Sequence, residues 1–132
     1  MKKIWIVDDD EEMVRAVELM LQLLECEVRH FYSARTAGQT LLQGERPDLF
    51  ILDINMPGVS GIDFLEFLRR RKDLRNIPVV MLSTEAADVM IDHAKALGAD
   101  AYVTKPVAIE ELDAAMQKAF SVRGTNQWLF NQ

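Results

Sequence analysis

Residues 49 to 58 read Leu49-Phe50-Ile51-Leu52-Asp53-Ile54-Asn55-Met56-Pro57-Gly58. Four apolar residues are too few for a free-standing helix, and a run that is apolar at every position marks a strand buried on both faces. An acid closes the run, and Met56-Pro57-Gly58 then turns the chain. The same pattern recurs at Ile4-Trp5-Ile6-Val7, Val79-Val80-Met81-Leu82 and Ala101-Tyr102-Val103. A further candidate, Cys26 to Phe31, sets Cys26, Val28 and His30 against Glu27, Arg29 and Phe31, the alternation of an edge strand with one wetter face.

Between these strands the apolar residues fall three or four apart. The sets are Met13, Val17, Met20/Leu21 and Leu24; Ala34, Ala37 and Leu41; Ile62, Leu65 and Leu68; Met90, Ala94 and Leu97; and Ile109, Leu112, Met116 and Phe120. Each set puts one stripe on one side of a helix. Asp10, Ser33 and Ser60 stand where N-caps are wanted, and Gly44 and Gly98 where a left-handed residue ends a helix. Pro47 and Pro78 each precede a strand, where a missing N–H does no harm. Ala108, at the cap of the last helix, has no side chain to accept a first-turn N–H. Arg69-Arg70-Arg71-Lys72 closes the third helix and reads as a solvated run of cations at the negative end of the dipole.

Strand and helix alternate five times, which implies a parallel sheet, right-handed crossovers and helices on both faces. The expected architecture is α/β, a flavodoxin-like doubly wound (βα)5 fold with strand order 2-1-3-4-5. At 132 residues, 49% hydrophobic and 27% charged, the chain fits one globular domain, expected over residues 1–121. Residues 122–132 read as a C-terminal tail or the start of a linker, polar until Trp128-Leu129-Phe130. A net charge of −6 argues against direct nucleic-acid binding, which needs cations to displace counterions from phosphates. Cys26 is the one cysteine, so no internal disulfide forms and a reducing interior is expected. No apolar run approaches the ~20 residues that span a bilayer, and no signal peptide is evident, so the expected compartment is the cytoplasm.

In parallel α/β sheets ligands bind at the carboxyl ends of the strands. There this sequence places Asp8-Asp9-Asp10, then Asp53, then Ser83-Thr84, then Thr104-Lys105-Pro106. Carboxylates gathered on one rim repel and would take up protons unless a hard divalent cation neutralises them. Mg²⁺ fits, with Mn²⁺ able to substitute, because it prefers oxygen ligands and leaves positions for water and a phosphate oxygen. Asp53, placed centrally, becomes a carboxylate nucleophile able to form an acyl phosphate. Lys105 can pair with Asp53 before reaction and with a phosphoryl oxygen after it, while Ser83 can donate to another. Phosphoryl transfer asks mainly for alignment and charge neutralisation, so these groups suffice.

Ile6-Val7-Asp8-Asp9-Asp10, Leu52 to Gly58, Val80-Met81-Leu82-Ser83, Gly98-Ala99-Asp100-Ala101-Tyr102 and Thr104-Lys105-Pro106 together resemble the receiver family of two-component response regulators, over residues 2 to 120. The resemblance implies that Asp53 is the phosphoacceptor, Asp9 a direct Mg²⁺ ligand, Asp8 a second acid acting partly through water, and Asn55 a ligand through its backbone carbonyl. It implies that Ser83 and Lys105 bind the phosphoryl group, that Tyr102 is the switch aromatic, and that the Lys105–Pro106 bond is cis. The expected partners are a sensor histidine kinase or phosphotransfer protein and a downstream protein or effector domain, with no membrane; a homodimer linked to phosphorylation stays open. The output would be a changed face of the fourth helix, fifth strand and fifth helix. Thr84 departs from the family pattern, standing where a tiny residue is usual.

Simpler readings exist for each residue. Asp10, Glu11 and Glu12 read as an acidic first turn serving the helix dipole, and His30 and His93 as structural or exposed. A phosphatase of the haloacid dehalogenase type also uses an aspartyl nucleophile and Mg²⁺. It resembles Asp-x-Asp, however, and Asn55 cannot protonate a leaving group. An FMN-binding flavodoxin relative is suggested by fold alone, and Asp8 to Glu12 would repel its phosphate. A signalling switch, not a turnover enzyme, is the expectation.

Overall fold

The computed structural model describes residues 1–124. Trp128-Leu129-Phe130 lies outside the described residues.

The order is β1 (Lys3–Val7), α1 (Glu11–Leu23), β2 (Glu27–Phe31), α2 (Ala34–Leu42), β3 (Leu49–Asp53), α3 (Gly61–Arg70), β4 (Val79–Ser83), α4 (Asp88–Ala96), β5 (Ala101–Thr104) and α5 (Ile109–Ala119). A π-helical turn over Phe120–Gly124 follows. The five strands form one parallel sheet in the order β2-β1-β3-β4-β5. The expected fold class and strand order are therefore what the structure has.

Alternation along the buried strands sends successive side chains to opposite layers. Trp5, Val7, Phe50, Leu52, Val79 and Met81 pack beneath α2, α3 and α4, against residues such as Ala37, Leu41, Phe64, Leu68 and Ala94. Ile4, Ile6, Ile51, Val80 and Leu82 pack beneath α1 and α5, against Val14, Val17, Leu21, Leu112 and Met116. All five residues of β3 and of β4 are buried, the pattern of central strands covered on both faces.

The caps follow the side chains. Asp10 accepts from the N–H groups of Glu12 and Met13, Ser33 from Thr36 and Ser60 from Asp63, whereas Ala87 and Ala108 supply no cap bond. Gly44 and Gly98 lie at φ 100° and 112°, just beyond α2 and α4.

Three local expectations change. The second strand starts at Glu27, and Cys26 is buried just before it, its Sγ 3.8 Å from the Leu24 carbonyl. Phe31, expected on the wetter face with Glu27 and Arg29, is 3% exposed. There α2 covers the sheet and Trp5 packs on the Phe31 ring with centroids 4.9 Å apart. Arg69 is no solvated cation. Its side chain is 12% exposed, pairs with the buried Asp100 at 3.0 Å, and donates to the carbonyls of Gly98, Arg75 and Ile77. The C-terminal end of α3 faces the entry to β4 and β5, so the first arginine of the run turns inward to satisfy carbonyls that no helix or ladder serves. Burial, and then repulsion from Arg123, holds the Arg69 guanidinium down at about 10.

Candidate functional site

Parallel register brings the carboxyl ends of β1, β3, β4 and β5 to one rim. Asp8 follows β1, Asp53 ends β3, Ser83 ends β4, and Lys105 follows β5. Asp8 and Ser83 are wholly buried and Asp53 is 4% exposed. Asp9 stands exposed beside them. One carboxylate oxygen from each of Asp8, Asp9 and Asp53 lies within 4.8 Å of the others. The Lys105 ammonium reaches between two of them, 3.2 Å from Asp8 Oδ2 and 3.3 Å from Asp53 Oδ1.

The neighbours fix these groups. Asp8 Oδ1 accepts from the Asp10 N–H at 2.9 Å. Asp8 Oδ2 is buried and has no hydrogen-bond partner among the described residues, although the Lys105 nitrogen is near. The Lys105 N–H donates to the Ser83 carbonyl at 2.8 Å, tying the two strand ends together, and the Lys105–Pro106 bond is cis. Ser83 Oγ accepts from the Glu85 N–H at 3.0 Å, so the hydroxyl holds the loop leading to α4. Tyr102, partly buried on β5, donates its hydroxyl to the Glu85 carbonyl at 2.8 Å. Asn55 is exposed two residues beyond Asp53. Thr84 is exposed on the loop after Ser83.

Burial, and next the negative charge of Asp8, pushes the Asp53 carboxyl from 3.8 up to about 6, against the opposing pull of Lys105 and the Asn55 N–H. Burial alone would lower the Lys105 ammonium. The charges of Asp8 and Asp53 outweigh it and raise the group above its ordinary value. The rim is therefore short of positive charge: one ammonium faces three carboxylates.

This geometry accompanies clear likenesses to known proteins. The sequence model of the response regulator receiver domain matches residues 4–117. The chain belongs to that family. The receiver is 33% identical to the chemotaxis protein CheY of Pseudomonas aeruginosa over 118 residues, 89% of this chain and 95% of that one. It is 35% identical over 115 residues to the phosphate regulon transcriptional regulatory protein PhoB of Rhizobium meliloti, 87% of this chain and 50% of that protein. It thus spans nearly the whole of one relative and half of the other. Among solved structures, a putative response regulator from Chloroflexus aurantiacus superposes with a TM-score of 0.85 at 27% identity, covering 91% of this chain and 98% of that one. CheY4 of Vibrio cholerae gives 0.81 at 31% identity, with 90% and 98% covered. The chain is thus a receiver of two-component signalling, a class of signalling switch rather than turnover enzyme.

Gly61 at the receiver's rim was not anticipated from the sequence, and His30, expected to be structural or exposed, is structural. A Cβ on Gly61 would run into the Asp53 carbonyl oxygen, so only glycine lets the first turn of α3 approach the end of β3 this closely. The nearby signal was Ser60, a cap that fixes where the helix begins. His30 brings a ring nitrogen to the Asp8 carbonyl at 2.8 Å, a contact in which that nitrogen must carry the proton. No spacing along the chain links residues 8 and 30; the β1–β2 pairing does.

Proposed function

We propose that this receiver accepts a phosphoryl group on Asp53 from the phosphohistidine of a sensor histidine kinase or phosphotransfer protein, with Mg²⁺ bound, and signals through its α4–β5–α5 face. The observation that carries the reading is the ammonium of Lys105 set between Asp8 and Asp53 on a rim that still holds surplus negative charge.

A buried Asp8 oxygen without a hydrogen-bond partner, and three carboxylates whose oxygens gather within 4.8 Å, suit a hard cation with oxygen ligands. Asp8, Asp9 and Asp53 would hold it, with the Asn55 backbone carbonyl as a further ligand. When bound, Mg²⁺ would supply positive charge to offset the negative charge of the phosphoryl oxygens. The Asn55 backbone N–H favours the charged form of Asp53. An Asp53 oxygen attacks phosphorus, the P–N bond to the donor breaks, and the leaving imidazole takes a proton. Lys105 transfers its charge from Asp53 to a phosphoryl oxygen, and Ser83 turns its hydroxyl to donate to another.

Relay to the output face follows the bonds already described. Turning Ser83 toward the phosphoryl group breaks its bond with the Glu85 N–H, and the Glu85 carbonyl is the acceptor of Tyr102. A shift of this loop therefore releases or re-aims the ring. Helix α4 fully buries Ala94 alone and packs Met90 partly against the core, so the apolar surface that resists its movement is small. A cleft of about 330 Å³ between β5 and the helices, edged by Lys95, Tyr102, Glu111 and Lys118, changes shape with it. A downstream protein or effector domain reads that face.

Incubation with Mg²⁺ and acetyl phosphate, followed by intact mass measurement, tests the proposal. One added phosphoryl group is expected on the wild type and none on Asp53→Asn. Unlabelled wild type, or undiminished labelling of Asp53→Asn, overturns it.

A further inference from the structure

Every polar atom of Asp8 but one is held by a hydrogen bond. Its backbone N–H donates to the Phe31 carbonyl at 3.1 Å, its Oδ1 accepts from the Asp10 N–H at 2.9 Å, and its carbonyl meets His30 Nε2 at 2.8 Å. Only Oδ2, on the side of Lys105, is left without a hydrogen-bond partner. Asp9 is placed differently. It is exposed, and its carboxylate makes no hydrogen bond or ion pair among the described residues, although one of its oxygens lies within 4.8 Å of those of Asp8 and Asp53. The backbone leading into Asp9 is therefore what aims its side chain at the cluster.

That backbone is the Asp8–Asp9 peptide. A peptide group is planar, so the Asp8 carbonyl and the Asp9 N–H turn together, and rotating the plane changes ψ at Asp8 and φ at Asp9, the dihedrals beside both acids. The His30 ring grips this plane by its carbonyl. The ring is itself held. On β2 His30 stands in register with Ile6, two residues short of Asp8, and borders a small cleft with Val14 and Arg15 of α1. The Tyr32 ring packs on the imidazole with centroids 4.1 Å apart, and the Tyr32 hydroxyl donates to Glu11 Oε1 at 3.0 Å, on the first residue of α1. The helix that follows the acids thus braces the ring that holds them.

We propose that His30 is a positioning residue for the divalent cation: its ring N–H holds the Asp8–Asp9 peptide plane and so aims both acids at one ion. The inference rests on the Mg²⁺ reading of the rim and adds to it a residue outside the ligand set. Without the N–H the plane is free to turn, and Asp9, whose carboxylate has no other support, loses its direction first. Groups that orient metal ligands from behind contribute about 10- to 100-fold to affinity. His30 acts through a backbone carbonyl and not on a ligand atom, so the lower end of that range, about tenfold, is expected.

Mn²⁺ binding to the full-length chain, read from loss of the free-ion signal in electron paramagnetic resonance, tests this beside urea unfolding of the same proteins in EDTA. His30→Phe keeps a ring against Tyr32 and removes the N–H, and is expected to weaken Mn²⁺ binding about tenfold. His30→Gln, whose amide nitrogen can reach the same carbonyl, is expected to recover most of that loss, whatever the order of the two variants in urea. In the wild type, the ring ¹⁵N shifts are expected to show a proton on Nε2. Equal affinity of wild type and His30→Phe overturns the proposal alone, as does a His30→Gln that binds no better than His30→Phe. A wild-type ring protonated on Nδ1 only overturns it without recourse to any variant, since a carbonyl needs a donor. A wild type that binds no Mn²⁺ overturns the metal reading of the rim and this inference with it.

Discussion

Asp53→Asn is expected to make the metal-free receiver more stable at neutral pH, even though it removes an ion pair with Lys105. In the folded protein Asp53 holds its proton up to about pH 6, whereas in the unfolded chain it releases it near 3.8. The folded state binds more protons through that window, so unfolding free energy falls as pH rises from about 4 to about 6 and then stays level. A displacement from 3.8 to about 6, at ~1.4 kcal/mol per tenfold change in proton affinity, sets a ceiling of about 3 kcal/mol. Water reaching the rim discounts this to on the order of 1–2 kcal/mol. The amide, neutral at every pH, does not incur this penalty. Urea unfolding of both proteins in EDTA, from pH 4 to pH 8, measures it. Near pH 4 the two curves should converge, by pH 7 the variant should lead, and added Mg²⁺ should narrow the gap by stabilising the wild type. A wild type at least as stable as Asp53→Asn at pH 7.5 without metal would refute the claim that this rim is short of positive charge.

Four other substitutions test the frame around the sheet. Asp100→Asn leaves the Arg69 and Arg123 guanidiniums facing a neutral group, and should cost about 2–4 kcal/mol in chemical denaturation. Gly98→Ala and Gly44→Ala share a positive φ, 112° and 100°, and both should lose about 1 kcal/mol on that account. Gly98→Ala should lose a further ~1–2 kcal/mol, seen as the lower thermal midpoint of the pair, because its Cβ would meet the pinned Arg69 side chain at 2.9 Å while nothing lies near Gly44. Ala108→Ser gives α5 the cap it lacks and should raise urea stability by about 1 kcal/mol; an unchanged midpoint would mean that its first-turn N–H groups are already satisfied.

The sheet was legible because its central strands are apolar at every position and its side chains alternate between two layers, a pattern that needs no knowledge of contacts. Most of the rim followed from the sheet: once Asp8, Asp53, Ser83 and Lys105 were assigned to strand ends, parallel pairing alone brought them together. The parts that escaped depend on distance between residues that the sequence separates. Arg69 looked like one of four solvated cations, yet its turn is set by carbonyls of residues 75, 77 and 98. Gly61 carries no sign in its own letter that Asp53 lies against it. His30 meets Asp8 only across the β1–β2 pairing.

These omissions share a physical cause and a consequence. Local propensity reports what a residue prefers within its own turn or strand, whereas Arg69, Gly61 and His30 are specified by backbone atoms brought to them by the sheet. Each supports a loop or strand end that positions another group: Gly61 the end of β3 at Asp53, His30 the carbonyl of Asp8, and Arg69 with Asp100 the entry of β4, whose far end is Ser83. Asp100 accepts the Val79 N–H at 2.9 Å, so one buried carboxylate anchors the start of the strand that ends in Ser83. The chemistry of the rim is written in its side chains, and its precision in contacts made by backbone.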